Sequence, residues 1–405
     1  MRILIASQYF YPEEFKVNDL AVDLVNRGHK VTVLTGKPNY PLGKYHEGYK
    51  FWGIQKENYK GVNVIRVPLV RRGNGTSLRL VINYLSYVFF GCLYAFLHKD
   101  LKCDAVICFG TSPITQIYPA FVLKKRYACK VGLWIQDLWP ESVWATSPIN
   151  NKILSNMLVR MVHNIYEKCD VLYVQSQAFK DSICEKGDFS KKIIYAPNWA
   201  ETLFCQTIPN VNKYKHLIPS GFVVMFAGNI GEAQDFDSII DAANLTKQNS
   251  NIKWVIVGDG RRRKHAEQRV KDEGLSHNVI FLGRYSVKEM PHFFVHADVM
   301  LVSLKSKDIF SLTIPSKIQA YMASGKPIVT MLDGIGSKII DEAGCGLTAN
   351  SGDVHHLAKN IITLSQMSKS ELMSMGEKAL KYYCSNFEKT ATINTILYGL
   401  GIDKV

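Results

Sequence analysis

The stretch "FVVMFAGNIGEAQDFDSIIDAA", residues 222–243, runs from an unbroken apolar segment through a glycine turn into helix-spaced apolar residues. An apolar run without alternation marks a parallel strand buried on both faces, and the helix after it supplies one cover. The same grammar continues through "KWVIVGDG", "NVIFLGR", "ADVMLVS" and "KPIVTML". Upstream it has already run once, in "RILIAS", "VTVLTG", "DAVICFG", "KVGLWIQD", "DVLYVQS" and "KIIYAPN". Residues 198–221 lie between the two series, polar, proline-bearing and without a strand pattern, so the linker is placed there. The expectation is an α/β chain of two doubly wound, Rossmann-like domains, 1–199 and 200–385. Two such domains facing one another would frame a cleft at the carboxyl ends of their strands, where ligands usually sit in open α/β sheets.

Composition agrees with two cores. The chain has 405 residues, 47% hydrophobic and 21% charged, too long for one ordinary domain. Forty-nine Lys and Arg against 35 Asp and Glu leave a net charge of +14, suited to nucleotides, phosphorylated lipids, anionic membranes or nucleic acid. The basic residues form no aromatic-interleaved stripe and no known reader motif, so nucleic acid is not expected as a partner. The nine cysteines are scattered without a CxxC pair, which suggests neither a disulfide framework nor a zinc site. The opening "MRILIASQYF" enters a strand directly, without the pattern of a signal peptide; a reducing cytoplasm fits.

One segment strains the soluble reading. Residues 80–97, "LVINYLSYVFFGCLYAFL", approach the length of a membrane span and are flanked by Arg71, Arg72, Arg79, His98, Lys99 and Lys102. Asn83, Ser86, Gly91 and the tyrosines interrupt the run, and a strand follows at once. Three readings stand: a span, a wholly buried helix, and a helix that rests on a bilayer.

Three strand-to-helix turns of the second domain could hold an anion. Gly228, Asn229 and Gly231 follow the first strand, and Gly258 and Gly260 follow the second, with Arg261 next. In "IPSKIQAYMASGKPIV" the helix starts at Ser316, read as its cap, with Lys317 in the first turn. A lysine there opposes the partial positive charge of the helix end, at a cost of roughly 0.3–1 kcal/mol. A diphosphate would offset that cost; ordinary tight turns and a solvated lysine are the plain alternatives.

"RILIASQYFYPEEFKVNDLAVDLVNRGHKVTVLTG", "WIQDLWPES", "FAGNIGEAQDFDSIIDAA", "WVIVGDG" and "IPSKIQAYMASGKPIV" resemble the family-4 glycosyltransferases of the GT-B fold, over nearly the whole chain. "YPEEFKVNDLA", "QDLWPES" and "PSKIQAYMASGKPI" are most similar to bacterial O-antigen and capsule enzymes, the L-fucosamine (FucNAc) transferases in particular. The resemblance implies an N-terminal acceptor domain, a C-terminal domain for a UDP-sugar, and a last helix, about 386–405, that returns to the first domain. It implies no metal, the diphosphate being met by lysine, arginine and helix ends. It also implies an undecaprenyl-diphosphate-linked saccharide as acceptor, with the protein peripheral on the inner face of the cytoplasmic membrane.

The chain departs from the family's pattern at several points. The paired glutamates would fall on Leu312 and Ala320, so the ribose must find another acceptor, for which Gln319 is the nearest polar side chain. Asn229 and Gln234 stand where the family has Arg and Lys, which makes Lys317 the leading phosphate partner and Arg261 the second. Arg284, after the third strand, joins the nucleotide-site candidates, whereas Arg262, Arg263 and Lys264 read as a solvated helix face. In the first domain "EEFKVND" replaces a glycine turn, and Gln136 replaces a histidine before Asp137. Trp139 with Asp137 and Glu141 suits sugar recognition, against simple packing of Trp134, Trp139 and Trp144. The family retains anomeric configuration; were this branch to invert, Asp19, Glu14 or Asp137 would have to serve as base. A nucleotide-sugar 2-epimerase and a non-catalytic nucleotide-sugar binder are the rival functions.

Overall fold

The computed structural model describes residues 1–146, 151–206 and 210–402. It divides into two compact units, Met1–Ala196 with Thr390–Val405, and Pro197–Lys389. The sequence reading put these boundaries at 199/200 and 385/386.

The first unit holds β1 (Arg2–Ala6), β2 (Lys30–Gly36), β3 (Gln55–Tyr59), β4 (Val62–Val67), β5 (Ala105–Gly110), β6 (Lys130–Ile135), β7 (Val171–Val174) and β8 (Ile193–Tyr195). They form one sheet in the order β3-β4-β2-β1-β5-β6-β7-β8. Only β3 runs antiparallel, paired with β4. Chain order reverses between β1 and β5, so the crevice of this sheet opens there. The strand pattern did not include β3, β4 or, in the second unit, Gly346–Ala349; the "QKENY" of β3 alternates between half-buried and exposed as an edge strand should. Helix Lys389–Leu400 packs into this unit, where the Tyr173 hydroxyl donates to the Ile396 carbonyl at 2.6 Å and Arg27 donates to Asn394.

The second unit holds β9 (Phe222–Asn229), β10 (Ile252–Asp259), β11 (Val279–Gly283), β12 (Val299–Ser303), β13 (Ile328–Met331) and β14 (Gly346–Ala349), in the order β11-β10-β9-β12-β13-β14. Every pairing is parallel. Along β9 and β10, Val223, Met225, Val255 and Val257 enter one core, while Val224, Phe226, Trp254 and Ile256 enter another. A period of two with both faces buried is why these strands read as continuous apolar runs. Here the order reverses between β9 and β12.

Helix Ser77–Leu97 corrects the reading that had it wholly buried. Its inner face is Asn83, Ser86, Tyr87, Gly91, Tyr94 and Ala95, and its outer face exposes Val81, Leu85, Phe89, Leu93 and Phe96. Only 28% of its most apolar window is buried within the protein. The polar residues are inside because they have partners there: Asn83 accepts from Gln8 at 2.8 Å, and Ser86 accepts from the Val70 amide at 3.0 Å.

Candidate functional site

In the second unit the reversal point is occupied by one lysine. Helix Ser316–Ala323 follows β12, and its N-cap is Pro315, whose side chain makes no capping hydrogen bond. Ser316, expected as the cap, is the first helical residue and is exposed. The N-cap side chain therefore satisfies none of the first-turn amides at this end of the helix. Lys317 turns back over the sheet and places Nζ 3.6 Å from the centre of the Phe226 ring. A Cβ on Gly228 would stand 2.7 Å from Lys317 Cε and 3.2 Å from Nζ, so only glycine leaves room for the ammonium at the end of β9. Gly228 also has φ +138°, a conformation side chains disfavour.

Burial pushes the Lys317 ammonium down to about 7 from an ordinary 10.5, and burial is the sole cause. No carboxylate of the described residues offsets it. Lys326 shows the contrast: half-buried like Lys317 and also lowered by desolvation, it donates to the Val295 and Ala297 carbonyls at 3.0 and 2.8 Å.

The glycine turns gather around the same place. Gly258 pairs with Gly228, and Asp259 with Asn229, across β10 and β9. A Cβ on Gly258 would fall 1.8 Å from the Gly228 carbonyl oxygen, and one on Gly260 would fall 2.3 Å from that of Ile230. Gln234 accepts from the Gly231 amide at 3.1 Å and from the exposed Asn229 at 3.4 Å, so the two residues that replace cations lock the turn between them.

Other expected residues are placed differently. Gln319 is buried and donates from Nε2 to the Asn198 carbonyl at 2.7 Å, because one position along a helix turns a side chain by about 100° from its neighbour. It is therefore not exposed toward a ribose, and Ala320 and Leu312 bring no carboxylate. Arg262 and Arg263 are not a solvated face: Arg262 pairs with Asp237 at 2.7 Å and Arg263 with Glu267 at 2.7 Å. Arg261 is exposed beside Gly260, and Arg284 is exposed beyond the outer strand β11.

In the first unit Asp137 follows β6 and accepts from the Ser112 amide at 2.8 Å, while burial raises its carboxyl above the usual range. Trp139 is buried, its indole N–H on the Ser112 hydroxyl at 3.0 Å, and Glu141 pairs with Lys186 at 2.5 Å. The tryptophan and Glu141 therefore brace the turn rather than offer a sugar platform. Glu14 is exposed and Asp19 half-buried in the first turn of helix Lys16–Asn26. The adjacent Glu13 carries the structural role instead, accepting from the Asn39, Tyr40 and Phe10 amides at 2.8, 2.7 and 3.3 Å. Two adjacent glutamates point to different sides of an irregular turn, and nothing in "PEEF" distinguishes them. Phe226 was likewise missed, because its spacing is that of any core residue of β9.

Residues 211–382 match the model of the family "Glycosyl transferases group 1". Over 316 residues, 76% of this chain and 78% of the relative, the protein is 25% identical to the "Probable glycosyltransferase WbjE" of Pseudomonas aeruginosa. Over 342 residues, 80% and 82% of the two chains, it is 24% identical to WcaI of Escherichia coli K12, named for glycosyl transfer in colanic acid biosynthesis. Among solved structures, Anabaena HepE in complex with UDP aligns with a TM-score of 0.71 at 15% identity, covering 99% of this chain and 100% of that one. WaaG, a glycosyltransferase involved in lipopolysaccharide biosynthesis, aligns at 0.67 and 15% over 100% of both chains. The fold is GT-B. The family match falls within the second unit, Pro197–Lys389.

Proposed function

We propose that the protein transfers an N-acetylamino sugar, L-FucNAc being the first to try, from a UDP-sugar to a lipid-linked saccharide in the assembly of an O-antigen or capsule. The observation that carries the donor half is the Lys317 ammonium at the Gly228–Gly258 edge, desolvated and not offset by any carboxylate of the described residues. A diphosphate on that edge accepts from the ammonium and from first-turn amides, so charge developing on the leaving UDP is met without a metal ion. The solved relatives named with UDP support that nucleotide, the name of WbjE supports glycosyl transfer, and that of WcaI supports polysaccharide assembly. Turnover that survives a chelator is expected. The test is a screen of UDP-N-acetyl sugars against a lipid-linked GlcNAc acceptor. UDP release that proceeds without acceptor would favour an epimerase-like enzyme, and tight UDP binding without turnover a binder.

For stereochemistry we hold to retention, read from NMR of the product anomer. Were the product anomer inverted instead, Asp137 is the one of the three candidate carboxylates whose burial raises its carboxyl above the usual range, as suits a base. In that inverting case Asp137→Asn is expected to lower transfer by about 10²-fold, with Glu14→Gln and Asp19→Asn staying within about twofold of the parent. Full activity in all three variants would remove the base.

The outer face of helix Ser77–Leu97 is proposed to lie on the anionic cytoplasmic leaflet, the basic residues at its two ends and the net charge of +14 supplying attraction. High salt should release the protein from vesicles containing anionic lipid. Leu85→Glu with Phe89→Glu should abolish binding even at low salt. Retention after salt and carbonate washes would instead establish a span.

A further inference from the structure

Two arginines of the first unit are treated in opposite ways. Arg66, 1% exposed at its side chain, pairs with Glu57 at 2.9 Å, donates to the Tyr11 and Gly36 carbonyls, and rests on the Tyr49 ring. Every side of that guanidinium is engaged. Arg72 is half-buried just before helix Ser77–Leu97 and lies 5.9 and 5.2 Å from the centres of the Tyr9 and Tyr40 rings. Among the described residues one guanidinium hydrogen bond fixes it, Nη1 to the Tyr9 hydroxyl at 3.1 Å, and its backbone N–H is held by Asn39 at 2.9 Å. An arginine has five N–H donors, so most of the fork is left for something else. No carboxylate of the described residues forms an ion pair with it.

The rings of the cage pack on one another. Tyr9 stacks on Phe15 at 5.3 Å, Phe15 meets Tyr40 at 5.4 Å, and Glu13 pins the backbone of Tyr40. These residues come from the segments after β1, β2 and β4, at the carboxyl edge of the first sheet. Tyr84, on the inner side of the apolar helix, is within electrostatic reach of both Arg72 and Asp137. Aromatic faces hold a guanidinium without neutralising it, and a planar fork held still is suited to bidentate capture of a phosphate.

We infer that Arg72, in its Tyr9–Tyr40 cage, binds the diphosphate of a lipid-linked acceptor. The inference deepens the proposed transfer and rests on it only for what the diphosphate carries. Placed at the start of the helix whose outer face is apolar, the cage meets an anion at the level where a prenyl chain ends and its phosphates begin. The acceptor is then gripped by its diphosphate, and its sugar is left to the Asp137 side of the same edge.

The test is direct binding by the full chain, with farnesyl diphosphate, farnesol and inorganic pyrophosphate as probes and UDP affinity as the control on the second unit. The wild type is expected to prefer farnesyl diphosphate over farnesol by at least about tenfold. Arg72→Met should erase that preference while UDP affinity and melting temperature hold, and Arg72→Lys should keep part of it. A preference that survives Arg72→Met, or a wild type that binds the alcohol as well as the diphosphate, overturns the inference. Pyrophosphate binding as tightly as farnesyl diphosphate would leave an anion site but remove the lipid from it. An Arg72-dependent preference in a protein that transfers no sugar would overturn the transferase reading and leave this site standing.

Discussion

Lys317→Met is expected to lower kcat/KM for sugar transfer by about 10²–10³-fold, the scale found when one preorganised donor to a developing anion is removed, and to make the protein more stable. The two effects share a cause. A side chain whose ammonium titrates near 7 rather than 10.5 is held where its charge is poorly solvated, and methionine fills the same space over Phe226 without that cost. The sign follows from the depressed value: between pH 7 and 10.5 the folded protein binds fewer protons than the unfolded chain, so stability rises with pH through that window. Below it the full cost is present. Allowing for water reaching a half-buried side chain, the variant should gain about 1–3 kcal/mol at neutral pH and lose most of the slope above it. Denaturant titrations at pH 7 and pH 10 read both. A variant no more stable than the parent at pH 7 would show that the ammonium is not desolvated. The same titration gives donor binding a proton signature. At pH 8 the free lysine is mostly neutral, and a bound diphosphate should restore its charge, so UDP binding should take up most of one proton. Calorimetry in buffers of different ionisation enthalpy measures that uptake, and a buffer-independent heat would separate Lys317 from the diphosphate.

Gly258→Ala is expected to cost the second unit about 3–5 kcal/mol, more than a methyl group usually costs anywhere on a surface. The new Cβ would fall 1.8 Å from the Gly228 carbonyl oxygen, at a residue with φ +158°, where an L side chain is already strained. Backbone cannot move aside as a flexible side chain can, so β9 and β10 must part at their carboxyl ends. That displaces Gly228, and with it the seat of Lys317. Thermal melts should show an early transition, and UDP affinity should fall with it. A single unshifted melt with unchanged UDP binding would mean that the two strands separate at their ends without consequence.

Much of this protein could be read along the chain, and the failures are orderly. Strands such as "FVVMFAGN" are legible because burial on both faces removes polar residues from every position. The polar edge strand β3 obeys no such constraint and was missed. Helix Ser77–Leu97 was visible as apolar, but its polar residues were taken for interruptions when they are its inner face. Composition records which residues a helix contains; only the neighbours decide which side is in. Ser316 was taken for a cap because a Ser beside Pro is a frequent helix start, yet the cap fell one residue earlier, on Pro315.

By itself the sequence determined two parallel sheets, the glycine turns that end their strands, and the lysine that follows "IPS", because each depends on local periodicity or on neighbours a few residues away. Only the tertiary structure decided that Lys317 rests on Phe226 at Gly228, that Glu13 rather than Glu14 holds the first turn, and that Arg72 is caged by Tyr9 and Tyr40 with no carboxylate of the described residues paired to it. Desolvation and charge compensation are set by groups far apart in the chain and close in space, and no spacing along a sequence encodes them.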